Sequence, residues 1–296
     1  MPAGYQTLVS SYDRLFDQAR TNEYNLSIRL EPDGLSFSVY SAESGIITGV
    51  ESIQFPGYIP LKSGFLTQAL YRENLLQLVQ SHPVLKSEFK KTVILLHSQC
   101  FTIVPAPLFN PGRPASYLSF VHKNDPSAAI LTHRLSALDA TLVYSLDEVL
   151  YAEIANAFRS ARLMHTMGAV VDTMLPRYKH SDSPEMVFLN VQAGSAGIVV
   201  LRDKTLELCN MYECQADEDM IYFLMFIMEQ LSLNPEKVPV FLSGKTGKDS
   251  ALYELIRRYV RYVEFDNPSG PVSRSYALSE IEKHRFVELL NPALCE

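Results

Sequence analysis

The chain has 296 residues, 47% of them hydrophobic and 20% charged, with a formal net charge of −7. That length exceeds what one core usually fills, so two domains are expected, and the composition excludes long disordered stretches. The acidic balance argues against nucleic-acid binding, because outside Lys90-Lys91 and Arg257-Arg258 no basic cluster stands out.

Residues 1–25 carry charges and no apolar core, which does not fit a signal peptide. Residues 26–31, 34–40 and 45–50 then read as three strands joined by tight turns. Over residues 64–88, Leu66, Leu70, Leu75, Leu76, Leu78 and Val79 fall at helical spacing, and His82-Pro83 stops the helix. A strand is expected at 92–96, with a second at 99–104 after a tight turn. Residues 105–114 hold Pro105, Pro107, Pro111 and Pro114 and read as a loop. Short alternating runs follow at 117–120 and 129–135, then a strand at 141–145. A helix at 146–160 has Leu150, Ile154 and Phe158 on one stripe. A strand at 162–166 leads into a helix at 168–178.

Polar residues 179–184 break the pattern and place a boundary. The three-strand pattern then returns at 186–192, 197–201 and 205–209. A helix over 217–231 starts with Asp217, Glu218 and Asp219, favourable at a positive N-terminus. Its apolar stretch 220–228 is too short to span a bilayer and reads as a buried helix. A buried strand at 238–242, a helix at 249–259, a strand at 262–265 and a final helix within 277–290 complete the chain.

Strand-strand-strand-helix-strand-helix-strand, met twice, resembles the ribonuclease-H-like unit, and a duplicated pair of such units makes the actin-like ATPase architecture. The expected fold is therefore α/β, an actin-like ATPase fold with two ribonuclease-H-like domains whose mixed sheets face a cleft. Residues 1–180 form the first domain, with an insertion at about 105–135. Residues 181–296 form the second, with a C-terminal helix placed to pack back on the first.

The resemblance implies an Asp at the end of each first strand, to manage magnesium and water, and a glycine two residues on, to admit phosphate. Here those positions fall on Arg29 and Glu31 in the first half and on Asn190 and Gln192 in the second. Magnesium wants hard, preferably anionic oxygen ligands, which Arg29 and Asn190 do not supply, and Glu31 sets a negative side chain where a polyphosphate should rest. Neither ATP nor magnesium is therefore expected as a cofactor. The later adenosine loop is better kept as Ser243-Gly244-Lys245, with lysine in place of its second glycine. Gly244-Lys245-Thr246 is not the end of a Walker A motif, since the glycine required five positions earlier is Pro239.

Other chemistry is weakly signalled. His97 and Cys100 could pair as thiol and imidazole only if their turn joins them, and His122 and His133 read as structural residues on short strands. Cys100, Cys209, Cys214 and Cys295 lack metal-type spacing and read as reduced thiols of a cytoplasmic protein.

Through residues 25–55, 184–208 and 238–247 the chain is similar to a bacterial domain-of-unknown-function family, number 3822, described as having an actin-like ATPase fold. It also resembles, more distantly, the pilus-assembly and type II secretion scaffold proteins of the actin-like superfamily. These resemblances imply a non-catalytic scaffold with a protein partner, no transmembrane segment and an association with a membrane-bound assembly. The alternative is a binder or enzyme for a nucleotide or other phosphorylated small molecule, with Arg29 as an anion clamp in a rebuilt cleft.

Overall fold

A computed structural model of the chain describes residues 4–56, 69–123, 125–268 and 275–295. Its first sheet is built on strands β1 (Gln6–Tyr12), β2 (Tyr24–Glu31), β3 (Gly34–Ser41) and β4 (Ile46–Gln54). Two-residue turns suit antiparallel neighbours, and Pro32-Asp33 forms one, so Glu31 faces Gly34 and Arg29 faces Ser36. Helix α1 (Ala69–Ser81) carries the chain over one face to β5 (Lys91–Leu96), which lies parallel to β2. The part of the expected helix before Ala69 lies outside the described residues.

A separate three-stranded sheet comes next, from β6 (Phe101–Pro105), β7 (Ala128–Leu135) and β8 (Ala140–Asp147), in the order β6-β8-β7. Residues 117–120, read from their alternation as a strand, lie instead at the end of helix α2 (Pro114–Leu118) and the turn after it. Pro114 sits at the start of that helix, where its missing N–H costs nothing. The strand expected at 141–145 joins this small sheet and not the large one, so the inserted element reaches beyond the proline-rich loop. Helix α3 (Glu148–Ala157) and strand β9 (Arg162–His165) then return the chain to the first sheet, whose order is β1-β4-β3-β2-β5-β9.

Helix α4 (Thr166–Tyr178) is buried at every residue from Thr166 to Leu175. Its polar residues there are satisfied internally: Thr166 Oγ1 donates to Leu96 O, Thr173 Oγ1 to Ala169 O, and Asp172 Oδ1 accepts from the Ala137 N–H. Met167, Val170, Val171 and Met174 share one core with Phe37 and Leu96 of the first sheet and with Phe188, Val199 and Met211 of the second.

The second sheet repeats the first. Strands β10 (Glu185–Gln192), β11 (Ser195–Arg202) and β12 (Thr205–Glu213) form the meander, and Ala193-Gly194 is again a two-residue turn, with Gly194 at φ +73°. Helix α5 (Asp217–Gln230) leads to β13 (Val240–Gly244), parallel to β10, and helix α6 (Ala251–Ile256) to β14 (Val263–Phe265). The order β12-β11-β10-β13-β14 matches β4-β3-β2-β5-β9 strand for strand. The hairpin registers put Asn190 where Arg29 stands and Gln192 where Glu31 stands.

The final helix expected within 277–290 is not formed. Short 3-10 turns at Tyr276–Leu278, Lys283–Phe286 and Pro292–Cys295 replace it. Individual anchors fix this segment. Leu278, Phe286, Leu289 and Leu290 pack on Ile47, Val50, Val93 and Leu95 of the first sheet, and Ser38 Oγ donates to Leu289 O at 2.5 Å.

Gly244 holds the end of β13 against β10. Its φ is +83°, and a Cβ there would lie 2.0 Å from Val191 O. Gly244→Ala is expected to lower the free energy of unfolding by about 2 kcal/mol or more. Gly45→Ala, at φ +70° in open space, bears only the left-handed strain of about 1–2 kcal/mol. Urea melts of the two variants test this, and an equal or smaller loss at Gly244 would contradict the clamp.

Candidate functional site

The two hairpin turns and the end of β13 meet where an actin-like cleft would hold phosphate, and charged side chains fill the first-sheet side of that place. Arg29, near the end of β2, is buried to 2% exposure. Its Nε and Nη2 donate to Glu31 Oε1 at 2.9 and 2.6 Å, and its Nη1 donates to Glu288 Oε1 at 2.6 Å. Arg29 and Glu31 are two apart on one strand and so share a face; Glu288 arrives from the C-terminal segment and is fully buried.

Glu31 is held from two sides. Ser36 Oγ donates to its Oε1 at 2.7 Å, and Lys245 Nζ reaches its Oε2 at 2.7 Å. Lys245 also pairs with Asp33 in the β2–β3 turn. The left-handed Gly244 redirects the chain as β13 ends, Lys245 N–H donates to Val191 O at 2.8 Å, and the side chain crosses from the second sheet to the first. Burial alone would raise the Glu31 carboxyl, but Lys245 and Arg29 outweigh it and hold it far below the carboxylate range. Burial likewise opposes the Arg29 charge, and Glu31 and Glu288 outweigh that, so the guanidinium stays charged.

The second hairpin is filled by neutral groups. Gln192 Nε2 donates to Asn190 Oδ1 and Asn190 Nδ2 to Ser243 Oγ, each at 2.9 Å, with all three residues buried. The seven positions singled out in the sequence therefore do come together. Arg29, Glu31 and Lys245 form one ionic cluster, Asn190, Gln192 and Ser243 form one amide–hydroxyl chain, and Gly244 joins the two.

Sequence reasoning missed Asp33, Glu288, His97 as a neighbour of this cluster, and the C-terminal segment as its wall. Glu288 lies 259 positions from its partner, and no local pattern connects the two. His97, in the turn after β5, lies 3.5 Å from Ser195 Oγ, and burial, followed by Glu31 and Arg29 acting in opposite senses, brings it down to about 4. No hydrogen bond joins it to Cys100 among the described residues, and burial raises the Cys100 thiol. His133 does lie on a strand, paired with Asp172 at 3.5 Å, whereas His122 lies in the turn after α2 and bonds Phe101 O at 3.0 Å.

A cavity of about 870 Å³ opens elsewhere, between the ends of α1 and α3, with Val79, Phe89 and Phe158 in its wall. No residue of the ionic cluster lines it. Among the described residues no group of His, Cys, Asp and Glu is arranged to hold a metal, and no helix is long and apolar enough to cross a membrane.

Two measurements probe the cluster. Arg29→Met strips two buried carboxylates of their shared cation and is expected to cost about 3–5 kcal/mol of stability; a urea midpoint shift worth under 1 kcal/mol would show that the pairing is not structural. The second concerns pH. His97 titrates at about 4 and His165, pushed down chiefly by burial, at about 3. Both stay neutral in the folded protein but protonate near 6.5 when unfolded, so stability falls as pH drops from about 6.5 towards 4, by about 1.4 kcal/mol per pH unit for each. His97→Gln is expected to remove about one proton from the uptake on unfolding at pH 5.5, read from the slope of stability against pH.

A family profile for proteins of unknown function, DUF3822, matches residues 13–263. Among solved structures, the chain is similar to a Bacteroides thetaiotaomicron protein of unknown function with an actin-like ATPase fold, at TM-score 0.74 and 21% identity, covering 90% of this chain and 100% of that one. It is also similar to the PilM–PilN type IV pilus biogenesis complex, at TM-score 0.61 and 15% identity over 90% and 96% of the two chains. The ethanolamine utilization protein EutJ of Carboxydothermus hydrogenoformans matches at TM-score 0.50 and 12% identity over 92% and 90%. A search of curated proteins finds no matching sequence. The fold is the actin-like ATPase fold, as the duplicated meander predicts.

Proposed function

The chain belongs to the DUF3822 family, and we propose that it acts as a non-catalytic scaffold, an actin-like body that binds protein and has closed its phosphate site with its own side chains. One observation carries this reading: Arg29 and Lys245, the two cations able to grip a phosphate, are already bound to Glu31, Asp33 and Glu288. Three carboxylates against two cations leave the place net negative, and Glu288 Oε2 has no hydrogen-bond partner among the described residues. A further unit charge 4 Å away costs about 4 kcal/mol at an effective dielectric of 20. A triphosphate brings several such charges, and among the described residues no group of His, Cys, Asp and Glu is arranged to hold its magnesium.

The likeness to the PilM–PilN type IV pilus biogenesis complex supports the protein-binding part, since that structure is a complex of proteins. A membrane-bound assembly as the destination belongs to this proposal. Cytoplasmic placement does too, supported by the free Cys209 and Cys214, whose thiols burial pushes up to about 12 and so keeps unreactive. The rebuilt-cleft alternative has one observation in its favour, the convergence of Arg29 and Lys245 on one point. It requires a ligand that displaces Glu31 or Glu288.

Titration calorimetry with ATP and magnesium separates the two readings. The scaffold predicts no saturable heat up to millimolar nucleotide. Micromolar binding that Lys245→Ala abolishes would establish the rebuilt cleft and end the scaffold reading.

A further inference from the structure

The duplication fails at one margin. In the first sheet the outer side of β4 is covered by β1, which pairs antiparallel with it from Gln6↔Gln54 to Tyr12↔Gly49. In the second sheet β12 holds the position of β4, and no strand of the described chain lies outside it. The Cys214 N–H bonds Gly194 O, so with the register Tyr212↔Ala196 and Asn210↔Ile198 the even-numbered residues of β12 face β11. Antiparallel pairs alternate, and Cys209, Met211 and Glu213 therefore turn their main-chain N–H and C=O groups outward. Asn210 Oδ1 caps the Met211 N–H at 2.9 Å. That is a local cap on an open edge, and the amide can swing aside. No described group hydrogen-bonds the outward N–H of Cys209 or Glu213.

An aromatic shelf rises beside this edge. Tyr212 stacks on Phe223 of α5 at 4.4 Å between centroids, Phe223 meets Tyr222 edge-on at 5.3 Å, and Tyr222 stacks on Phe226 at 6.1 Å. At 100° per residue, a helix that buries Met220, Ile221, Leu224, Ile227 and Met228 turns Phe223 towards β12 and leaves Tyr222 and Phe226 outward. They are 62% and 44% exposed. The neighbouring charge is acidic: Glu213 ends the strand, and Asp217 and Glu218 open the helix. Unpaired edges are normally blunted by lysine, proline or a covering element; Cys209 to Glu213 carries no lysine or proline, and α4 packs against this strand through the core that takes Cys209 and Met211.

We propose that β12 is a docking edge for an extended segment of a protein partner. The segment pairs antiparallel with Cys209–Glu213 as β1 does with β4, lays apolar side chains at alternate positions against Tyr212 and Phe223, and sets basic residues against Glu213, Asp217 and Glu218. Main-chain hydrogen bonds supply affinity in such strand addition, and alternate side chains supply selectivity. The inference rests on the reading of the chain as a protein-binding scaffold and names how it binds.

The test uses the full chain and two fluorescein-labelled nine-residue peptides, one alternating valine with lysine and the other valine with glutamate. Fluorescence anisotropy is expected to show micromolar binding of the lysine peptide and at least tenfold weaker binding of the glutamate one. Amide exchange by NMR should slow at Cys209, Met211 and Glu213 and not at the even-numbered residues between them. Asp217→Lys/Glu218→Lys, at the start of α5 where Asp217 is half-buried and Glu218 exposed, is expected to reverse the preference between the peptides while circular dichroism stays unchanged. Absence of binding, or protection that maps elsewhere, overturns the β12 assignment. Light scattering that shows β12-dependent self-association assigns the edge to a second copy and overturns the partner. None of these outcomes bears on the nucleotide calorimetry, so the edge and the closed site can fail separately.

Discussion

The Glu31 carboxylate can stay charged in a dry interior only because Arg29 and Lys245 both reach it, one along its own strand and one from the opposite sheet. Bringing an isolated carboxylate out of water costs several kcal/mol even after relaxation. Each cation offsets part of that cost, and neither alone satisfies both oxygens. The two sheets are thereby tied at Lys245: withdrawing it takes the cation from Glu31 Oε2 and from Asp33 together, and leaves Glu31 Oε1 to Arg29 and Ser36. Arg29 faces the same constraint on its other side, where Glu288 fixes the C-terminal segment on the first sheet. Residues 29, 31, 33, 245 and 288, scattered through the sequence, form one electrostatic unit.

That unit needs main-chain geometry to exist. Gly244 lets β13 end in a left-handed bend against Val191, which is what carries Lys245 across to the first sheet. His284 Nε2 lies 2.7 Å from Thr246 O, so the loop bearing Lys245 and the segment bearing Glu288 are pinned to each other as well as to Glu31. The C-terminal segment, in its 3-10 turns, is held at three fixed points: Ser275 on the carbonyl of Ile47, His284 on Thr246 and Glu288 on Arg29. Apolar burial beneath Phe286 and Leu289 supplies what regular helical hydrogen bonding would have given.

The sequence made the meanders readable because alternation at 26–40 is a period-two signal, the largely apolar runs at 186–191 and 198–201 read as strands buried on both faces, and both turns are short enough to fix register. The same register argument placed Arg29 opposite Asn190 correctly. What it could not give was the partner of each residue. Arg29 looked like a clamp awaiting an anion, since nothing near it in the chain marks Glu288 as its counter-ion. Strand β1 escaped notice because its sequence, Gln-Thr-Leu-Val-Ser-Ser-Tyr, is half polar and its side chains are largely exposed, as befits an outer strand. The small sheet was readable as strands but not as a separate sheet: periodicity reports that a segment is half-buried, not which neighbour buries it.

The two halves keep one backbone plan and fill it with opposite chemistry, and this asymmetry has a physical consequence. The Gln192–Asn190–Ser243 chain is neutral and projects only short-range dipoles, so among the described residues the ion pairs that join the second sheet to the cluster are those of Lys245. Because Lys245 is only partly buried while Arg29, Glu31 and Glu288 are almost fully so, dissolved salt screens the outer pair more than the inner ones. The inner pairs hold the C-terminal segment to the first sheet, and the outer pair holds the second sheet to the first. Any loosening driven by ionic strength must therefore begin at Lys245, with the Arg29–Glu288 contact outlasting it.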